Sequence, residues 1–282
     1  MKTSFLLFAN RDGIVCGSSA DMTIFQLSKK EPVAIAATPQ SKIPWRDIIE
    51  NYQRKGEPLY HNEFELYIKD FESYLSTITA KSEWQNLDSD ESKLVFMGYG
   101  LKNIYPCVCD VHITFDIESE ALKFDNISIG QIDHITKVYW STIGNFEQTE
   151  LLFKGATTPM NDLVTEKVQA VYKAYIAKVK EKFAGTEYEQ MVMERIAKFD
   201  ENFQAQRIVR NALRRVERSL QIGVDTFSVA DMVDAVETII NANMRLSHLQ
   251  SGGNEPLGQT HEIAVITRVE GLIWIKHSLF AI

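Results

Sequence analysis

Short apolar runs separated by turn residues dominate the first forty positions of the chain. Four of these runs have the length and the β-branched content of strands: 4–9, 13–18, 23–27 and 32–38. Between the first two, Arg11-Asp12-Gly13 predicts a tight antiparallel hairpin, because glycine after aspartate supplies the positive φ that this turn needs. Six later runs have the same character: 94–99, 107–115, 122–129, 138–142, 262–268 and 271–276. The last two predict a closing hairpin.

Helical spacing replaces strand spacing in two parts of the chain. After the first strands, Pro44 suits the first turn of a helix at 44–55, and the apolar spacing predicts a second helix at 62–79. Positions 161–250 are almost entirely helical in pattern, with a first apolar stripe that ends at Gly185. The later helices are predicted at 187–203, at 204–220, and after a capping box formed by Ser228 and Asp231.

The order of these elements indicates the fold class. A strand block, a helix pair, a second strand block, a group of helices and a strand pair follow one another. This order predicts an α+β fold in which helices cover the outer faces of packed sheets. Because no repeat and no linker interrupts the pattern, we predict a single domain over 1–282, with a helical insertion at 161–220.

Composition narrows the classes of partner and compartment. The 282 residues include 38 Asp+Glu against 30 Lys+Arg, and the net charge of -8 repels polyanions, so nucleic acid is not an expected partner. No apolar segment approaches the roughly 18 residues of a membrane-spanning helix. The three cysteines encode no disulfide framework. We therefore expect a cytoplasmic protein without membrane contact.

Sequence motifs for cofactors and metals are weak. The chain has no Gly-rich dinucleotide fingerprint and no phosphate-binding loop, so we expect no cofactor. Cys107, Cys109 and His112 are residue types that bind zinc, but strand alternation points both cysteines one way and His112 the other. We expect buried strand residues here and no metal site.

A basic ridge is predicted on the helix at 204–220. Arg207, Arg210, Arg214 and Arg218 follow one another at steps of three and four, while Glu217 interrupts the ridge. A solvated or subunit-facing helix side is the expected role, and phosphate binding is the alternative. Over residues 161–222, 12 Lys+Arg stand against 9 Asp+Glu, a local surplus of basic residues in an acidic chain.

The first hairpin of the chain covers residues 3–17, Thr-Ser-Phe-Leu-Leu-Phe-Ala-Asn-Arg-Asp-Gly-Ile-Val-Cys-Gly. This segment resembles the start of proteasome subunits and their bacterial relatives in the N-terminal nucleophile hydrolase superfamily. Residues 23–27 and 33–37 resemble the next two strands of that fold, and the closing hairpin is similar to that of a bacterial proteasome-like group. The resemblance implies a four-layer αββα sandwich. It also implies assembly, as a homo-oligomer or with a related proteasome-like subunit.

The same resemblance assigns the catalytic positions. In active members an amino-terminal threonine supplies the attacking hydroxyl, and its free α-amine acts as the base. This role would fall to Thr3, but Met1 and Lys2 precede it, and methionine before a long side chain is not expected to be removed. The family's acidic partner falls at Ser19 and its lysine at Thr23. Both charges are missing, and the nearest charged alternatives are Asp21 and Lys29.

Two further family positions are altered. The glycine whose N–H stabilises the oxyanion falls near Pro39, which has no N–H to donate. Ser251, in Ser251-Gly252-Gly253, resembles the family's late serine, and the segment 257–259 competes for that position. The acidic residue expected three positions before the serine would be His248.

These positions lead to three hypotheses. The first is a catalytically inactive proteasome-like protein that serves as a structural or partner-binding subunit. The alternative is a threonine peptidase or amide hydrolase that uses Thr3 after removal of Met1 and Lys2. A third hypothesis is a polyanion-binding protein that uses the basic ridge at 207–218.

Overall fold

The computed structural model divides the chain into two compact units, Met1–Phe146 with Gly223–Ile282, and Glu147–Ile222. The predicted helical insertion falls inside the second unit. The residues that the structure describes are 4–20, 23–28, 31–38, 41–55, 61–78, 84, 92–116, 121–144, 158–209, 211, 223–250, 252 and 262–277.

Two antiparallel five-stranded sheets form the centre of the first unit. Along the chain the strands are β1 (Phe5–Asn10), β2 (Gly13–Ser18), β3 (Ile24–Gln26), β4 (Val33–Ala37), β5 (Lys93–Gly98), β6 (Cys107–Asp116), β7 (Ala121–Gln131), β8 (Tyr139–Ile143), β9 (Glu262–Thr267) and β10 (Gly271–Lys276). Sheet one has the strand order β10-β9-β2-β1-β8, and sheet two has the order β3-β4-β5-β6-β7. The predicted α+β class is confirmed, with antiparallel sheets and several helices.

Both predicted hairpins are confirmed. In the first, Asn10 pairs with Gly13 across the turn and Phe5 pairs with Ser18 at the far end. In the closing hairpin, Gly271 has a φ of 77°, which a residue with a Cβ adopts only with strain. Strand β2 also pairs with β9, so the two ends of the described chain meet in sheet one.

Helices α1 (Trp45–Lys55) and α2 (Phe64–Leu75) pack against sheet two. Helix α2 is shorter than the predicted 62–79. The hydroxyls of Ser76 and Thr77 donate hydrogen bonds to the carbonyls of Ser73 and Tyr74, and such local bonds compete with continuation of a helix.

Helix α5 (Val229–Gln250) packs against β1 and β2 of sheet one. A Cβ on Gly17 of β2 would lie 2.7 Å from Cγ1 of Val236 and 3.0 Å from Cδ1 of Ile240, so glycine permits this close approach. The predicted capping box of α5 is confirmed. Ser228 N–H donates to the Asp231 carboxylate at 2.9 Å, and Asp231 N–H donates to the Ser228 hydroxyl at 3.2 Å.

Two clusters of buried side chains hold these layers. The first contains residues from both sheets, among them Leu7 of sheet one and Met97 of sheet two, so the sheets share one apolar interior. The second joins the other face of sheet two, including Phe96, to apolar side chains of α1 and α2 such as Phe71. Strand β5 therefore contributes to both clusters.

The second unit contains α3 (Thr158–Phe183) and α4 (Glu189–Asn202), followed by a helical turn at 205–209. The helical stripe predicted to end at Gly185 and the helix predicted at 187–203 are confirmed, and Gly185, with a φ of 72°, follows α3 as expected. Most of the helix predicted at 204–220 lies outside the described residues. Among the described residues of this unit, the apolar side chains that are buried belong to Ile196 and Ala205. In the described part of the chain, no helix is both long enough and apolar enough to cross a membrane.

Candidate functional site

The structure brings two of the predicted site residues, Ser19 and Thr23, to the end of sheet one where β1 begins. Around them lies a set of polar side chains that we call the amino-terminal polar cluster: Ser4, Ser18, Ser19, Thr23, Asn243 and Glu262. All six are buried. His248 is described below. The other positions assigned by the resemblance or named as alternatives lie outside the described residues: Thr3, Asp21, Lys29, Pro39, Ser251 and 257–259.

Ser19 is bonded to the residue that precedes β1. Its hydroxyl accepts a hydrogen bond from Ser4 N–H at 2.9 Å, and its own N–H donates to the Ser4 carbonyl at 2.9 Å. The Ser4 hydroxyl accepts a further bond from Nδ2 of Asn243, on α5, at 3.1 Å. Ser19 thus extends the pairing of β1 and β2 by one residue. The start of β1 is held by β2 on one side and by α5 on the other.

Thr23 lies just before β3, and its hydroxyl is bonded within the same bend. Oγ1 accepts a hydrogen bond from the Ser18 hydroxyl at 2.8 Å and donates to the Ala20 carbonyl at 3.1 Å. Ser18 and Thr23 are both fully buried. The hydroxyl proton of Thr23 is therefore donated to the Ala20 carbonyl, and this side chain stabilises the bend between β2 and β3.

Glu262, the first residue of β9, places a carboxylate in the interior of this cluster. Its exposure is 0%, and Oε2 accepts hydrogen bonds from Thr23 N–H at 3.1 Å and Ile24 N–H at 3.2 Å. Bonds to amide N–H groups are what a buried carboxylate needs to offset its lost hydration. Because Glu262 belongs to sheet one and Ile24 to sheet two, the carboxylate connects the two sheets.

The other oxygen of Glu262 faces an imidazole. Oε1 lies 3.4 Å from Nδ1 of His277, whose ring stacks on Trp274 with centroids 4.2 Å apart.

The charge of Glu262 also acts on Cys16, a buried residue of β2. Burial first, and the charge of Glu262 second, raise the pKa of the Cys16 thiol well above its ordinary value. Cys16 therefore stays protonated, which removes it as a candidate nucleophile.

The hydroxyl groups of the amino-terminal polar cluster make hydrogen bonds that hold strands and bends together. The hydrogen bonds described for Ser18, Ser19 and Thr23 join them to hydroxyl, amide and carbonyl groups of the chain. An N-terminal nucleophile needs a base and a nearby cation, whereas the charged group within this cluster is a carboxylate. The residue types fit a bonded junction between strands.

Sequence reasoning missed four members of this cluster: Ser4, Ser18, Asn243 and Glu262. The available signal was the position of Glu262, a carboxylate at the head of the apolar strand 262–267. Its partners could not be inferred, because Thr23 lies 239 positions away and is reached only through the pairing of β2 with β9. Asn243 is on the buried side of α5, where its amide also gave no local signal.

A second polar group connects the two sheets away from the amino terminus. On β6, the Asp110 carboxylate accepts hydrogen bonds from Ser141 Oγ at 2.5 Å and from the Tyr139 hydroxyl at 3.0 Å, both on β8. Lys93 Nζ, on β5, donates to Ser141 Oγ at 3.2 Å and to the Thr142 carbonyl at 2.7 Å. The Ser141 hydroxyl proton is bonded to Asp110, so these side chains form hydrogen bonds that join sheet two to sheet one.

The cysteines of β6 agree with the strand interpretation. Cys107 and Cys109 lie in the cluster that joins sheet two to α1 and α2. His112 is an odd number of positions from both cysteines along the strand, and it is half-buried. Burial raises the pKa of each of these two thiols to about 12. Within the described residues, no group of three His, Cys, Asp or Glu side chains could hold a metal ion.

The remaining predicted positions are the arginines of the basic ridge and His248. Arg207 is exposed on the turn at 205–209, whereas the side chains of Arg210, Arg214 and Arg218 are outside the described residues. His248 is half-buried on the last turn of α5. The basic ridge therefore stays a prediction.

Comparison with known proteins adds no family to this geometry. Searches with protein-family models and against curated protein sequences found no match to the chain. The resemblance to N-terminal nucleophile hydrolases therefore stays a prediction from the sequence segments quoted above.

Proposed function

We propose that this protein is a catalytically inactive relative of proteasome subunits, which acts as a structural or partner-binding subunit of an oligomer. The proposal combines a fold and a disabled site. It includes assembly with further copies of the chain or with a related proteasome-like subunit. A cytoplasmic location belongs to the same proposal.

The layer contacts support the fold part. Helix α5 packs on sheet one, sheet one shares an apolar cluster with sheet two, and α1 and α2 pack on the far face of sheet two. This is the order of layers expected for a four-layer αββα sandwich. The pairing of β2 with β9 also agrees with a fold whose closing hairpin lies beside its opening one.

The observation that carries the functional part is the buried carboxylate of Glu262. The resemblance assigns a lysine to position 23, where a cation would favour the ionised form of a nearby hydroxyl. Here the amides of Thr23 and Ile24 bind a carboxylate instead. A negative charge disfavours formation of a second anion beside it, so the environment opposes a nucleophilic alkoxide.

Ser19 supports the same conclusion. The resemblance assigns an acidic partner to this position, but the side chain is a hydroxyl that accepts the N–H of Ser4. That bond fixes the first residue of the β1–β2 pairing and leaves no carboxylate to hold a catalytic cation. Both substituted positions have thus become parts of the strand junction.

The alternative, a threonine peptidase or amide hydrolase that uses Thr3, has one observation in its favour. Ser4, the next residue, lies within hydrogen-bond distance of the Ser19 hydroxyl and of Asn243. Polar groups are therefore present next to the position from which Thr3 would act. The alternative requires removal of Met1 and Lys2, which frees the α-amine of Thr3.

Intact-mass measurement of the full chain tests the proposal directly. We expect Met1 and Lys2 to be retained, and a peptide vinyl sulfone, which alkylates nucleophilic hydroxyls and thiols, to leave Thr3 unmodified. A chain that begins at Thr3 would overturn the proposal. Labelling at Thr3 that is lost in Thr3→Ala would do the same. Light scattering coupled to size-exclusion chromatography tests assembly, and a monomer would contradict that part.

A further inference from the structure

An apolar groove follows the side of α3 in the second unit. It has a volume of about 610 Å³. The lining is apolar except for Lys167 and the Tyr hydroxyls, and its principal residues are Leu163, Val164, Val171, Tyr172, Tyr175 and Phe203. The rings of Tyr172 and Phe203, both in the lining, stack with centroids 3.8 Å apart. This stack joins α3 to the segment that follows α4.

The lining residues are exposed to a degree that is unusual for apolar side chains. Val171 is 70% exposed, Tyr175 is 65% exposed and Leu163 is 54% exposed. They lie on one side of α3, at steps of eight and four residues. A contiguous apolar stripe of this kind marks an interaction surface, because single exposed apolar residues are common whereas aligned ones are not.

The charges beside the groove are basic. Lys167 belongs to the lining, and the same side of α3 continues into Lys178 and Lys182, all exposed. At about 100° per residue, Asp162 and Glu166 point away from the side of Val171, and the exposed Glu181 lies about 80° to one side of it. Helix α4 contributes Asp200, whose carboxylate accepts a hydrogen bond from the Tyr172 hydroxyl. The groove thus combines an apolar stripe with a lysine margin.

We propose that this groove binds an amphipathic helix of a partner protein, with acidic residues beside its apolar stripe. Apolar residues at helical spacing would fill the groove, and carboxylates would lie against Lys167, Lys178 and Lys182. The proposal rests on the proposed function, because a subunit without a working site acts through what it binds.

A second copy of the chain is a poorer occupant on the same charge argument. Antiparallel pairing of two α3 helices about Val171 would set Lys178 against Val164 and Lys167 against Tyr175 of the other copy. No carboxylate of α3 would then face these lysines. An acidic helix supplies the missing charge, and so we favour it over self-association.

Peptide binding to the full-length protein tests the inference. The probes are two fluorescent helical peptides of about 18 residues, or five turns, with identical leucine stripes and with flanks of either glutamate or lysine. We expect the glutamate peptide to bind about tenfold more tightly than the lysine peptide, and its advantage to fall with added salt. Fluorescence anisotropy provides the readout.

Three variants on exposed positions of α3 locate the binding. Val171→Asp should abolish binding, and Lys178→Glu should remove the preference for the glutamate peptide. Lys173→Glu is the matched control, since it makes the same charge change on the opposite side of the helix and should leave both affinities unchanged. Circular dichroism checks that each variant keeps its helix content.

Several outcomes overturn the inference. They are equal affinity for the two peptides, no binding of either, an equal response to Lys173→Glu, stronger binding of a single-stranded oligonucleotide, or a dimer that Val171→Asp dissociates. The result is separable from the proposed function. Failure of binding with Met1 retained removes the groove alone, whereas a chain processed to Thr3 that still binds removes the inactive-subunit proposal alone.

Discussion

The strand-rich first unit and the helical second unit differ in how far they bury their apolar side chains. In the first, Phe96 and Met97 are neighbours on β5, and both are fully buried, one towards α1 and α2 and the other towards sheet one. In the second, Val171 and Tyr175 are neighbours on one side of α3, and both are mostly exposed. Strand β5 is covered on two faces, whereas α3 has one side open.

This difference indicates where the stability of the chain is generated. Ordering a residue's backbone costs about 1–2 kcal/mol, and full burial of a large apolar side chain returns about 1.5–3 kcal/mol. In the first unit, burial of apolar side chains between neighbouring strands and helices offsets the entropy cost of ordering the strands. Burial of the described side chains of α3 and α4 offsets much less of that cost. We therefore expect the first unit to carry the stability and the second to gain stability when it binds a partner.

Truncation of one phenylalanine in each unit is the strongest test of this comparison. Phe96 is fully buried, and its ring lies 5.7 Å from that of Phe71 and 5.9 Å from that of Phe124. We expect Phe96→Ala to lower the free energy of unfolding by about 3–5 kcal/mol, because it removes buried area and leaves a cavity. Urea denaturation followed by circular dichroism measures the change.

Phe199→Ala on α4 is the matched substitution, because Phe199 is 59% exposed. We expect a loss of less than about 1 kcal/mol, as is usual for a surface position. Equal losses for the two variants would contradict the comparison, since they would place a comparable core in the second unit.

Removal of the Glu262 carboxylate tests whether the amino-terminal polar cluster belongs to the stable part. Glu262→Ala leaves the amides of Thr23 and Ile24 without their acceptor. We expect a loss of about 3 kcal/mol, the cost of two unsatisfied buried donors. Glu262→Gln retains one acceptor oxygen and should lose about half as much. Thermal unfolding at constant pH provides the measurement.

Glu270→Ala provides the control for that experiment. Glu270 lies in the turn of the closing hairpin, at an exposed position of the same part of the chain. Its replacement should change the unfolding free energy by less than about 0.5 kcal/mol. If Glu262→Ala is equally mild, the carboxylate does not hold the sheets together, and the argument for an inactive site loses its main support.

The hairpins were predictable because their signals are local. Arg11-Asp12-Gly13 specifies a tight turn within a few residues, and the strands on either side follow from the alternation and branching of their side chains. The capping box at Ser228 and Asp231 is local in the same sense, and the structure shows both of its reciprocal bonds. Strand β3 is one residue shorter at each end than the predicted 23–27. Thr23 N–H bonds to the Glu262 carboxylate, while the Thr23 carbonyl still accepts a hydrogen bond from Ala37 N–H at 2.9 Å.

The contents of the candidate site were not predictable to the same extent. Ser19 and Thr23 were placed by the resemblance, but their partners depend on contacts between distant parts of the chain. Asn243 reaches Ser4 only because α5 packs across sheet one, and Glu262 reaches Thr23 only because β9 pairs with β2. A pattern of residue types records neither of these contacts. From sequence alone, a carboxylate at the start of a strand is expected on the surface. Its burial can be inferred only when the neighbours of that strand in the fold are known.

The close approach of α5 to sheet one gives a smaller test within the first unit. Gly17→Ala would place a Cβ 2.7 Å from Val236 Cγ1, which forces the helix or the side chain to move. We expect a loss of about 1–2 kcal/mol from overpacking. Val236→Ala in the same chain should recover part of that loss, and the double-mutant cycle measures the coupling. Additive losses would mean that the helix does not press on Gly17.

The smallest expected effect is a pH dependence at the start of α5. Hydrogen bonds from the Ser228 hydroxyl and from Ser228 N–H lower the pKa of Asp231 below its ordinary 3.8. A carboxyl whose pKa is lower in the folded state adds stability above its unfolded pKa, and that stability is lost as the pH falls through the folded value. Asp231→Asn should therefore lower the melting temperature at about pH 7 and have less effect at about pH 3. Ser228→Ala removes the first cause of the shift and should flatten the same profile. A melting-temperature difference that stays constant over this range would show that the capping box stabilises α5 through packing or helix propensity instead of through the ionised carboxylate.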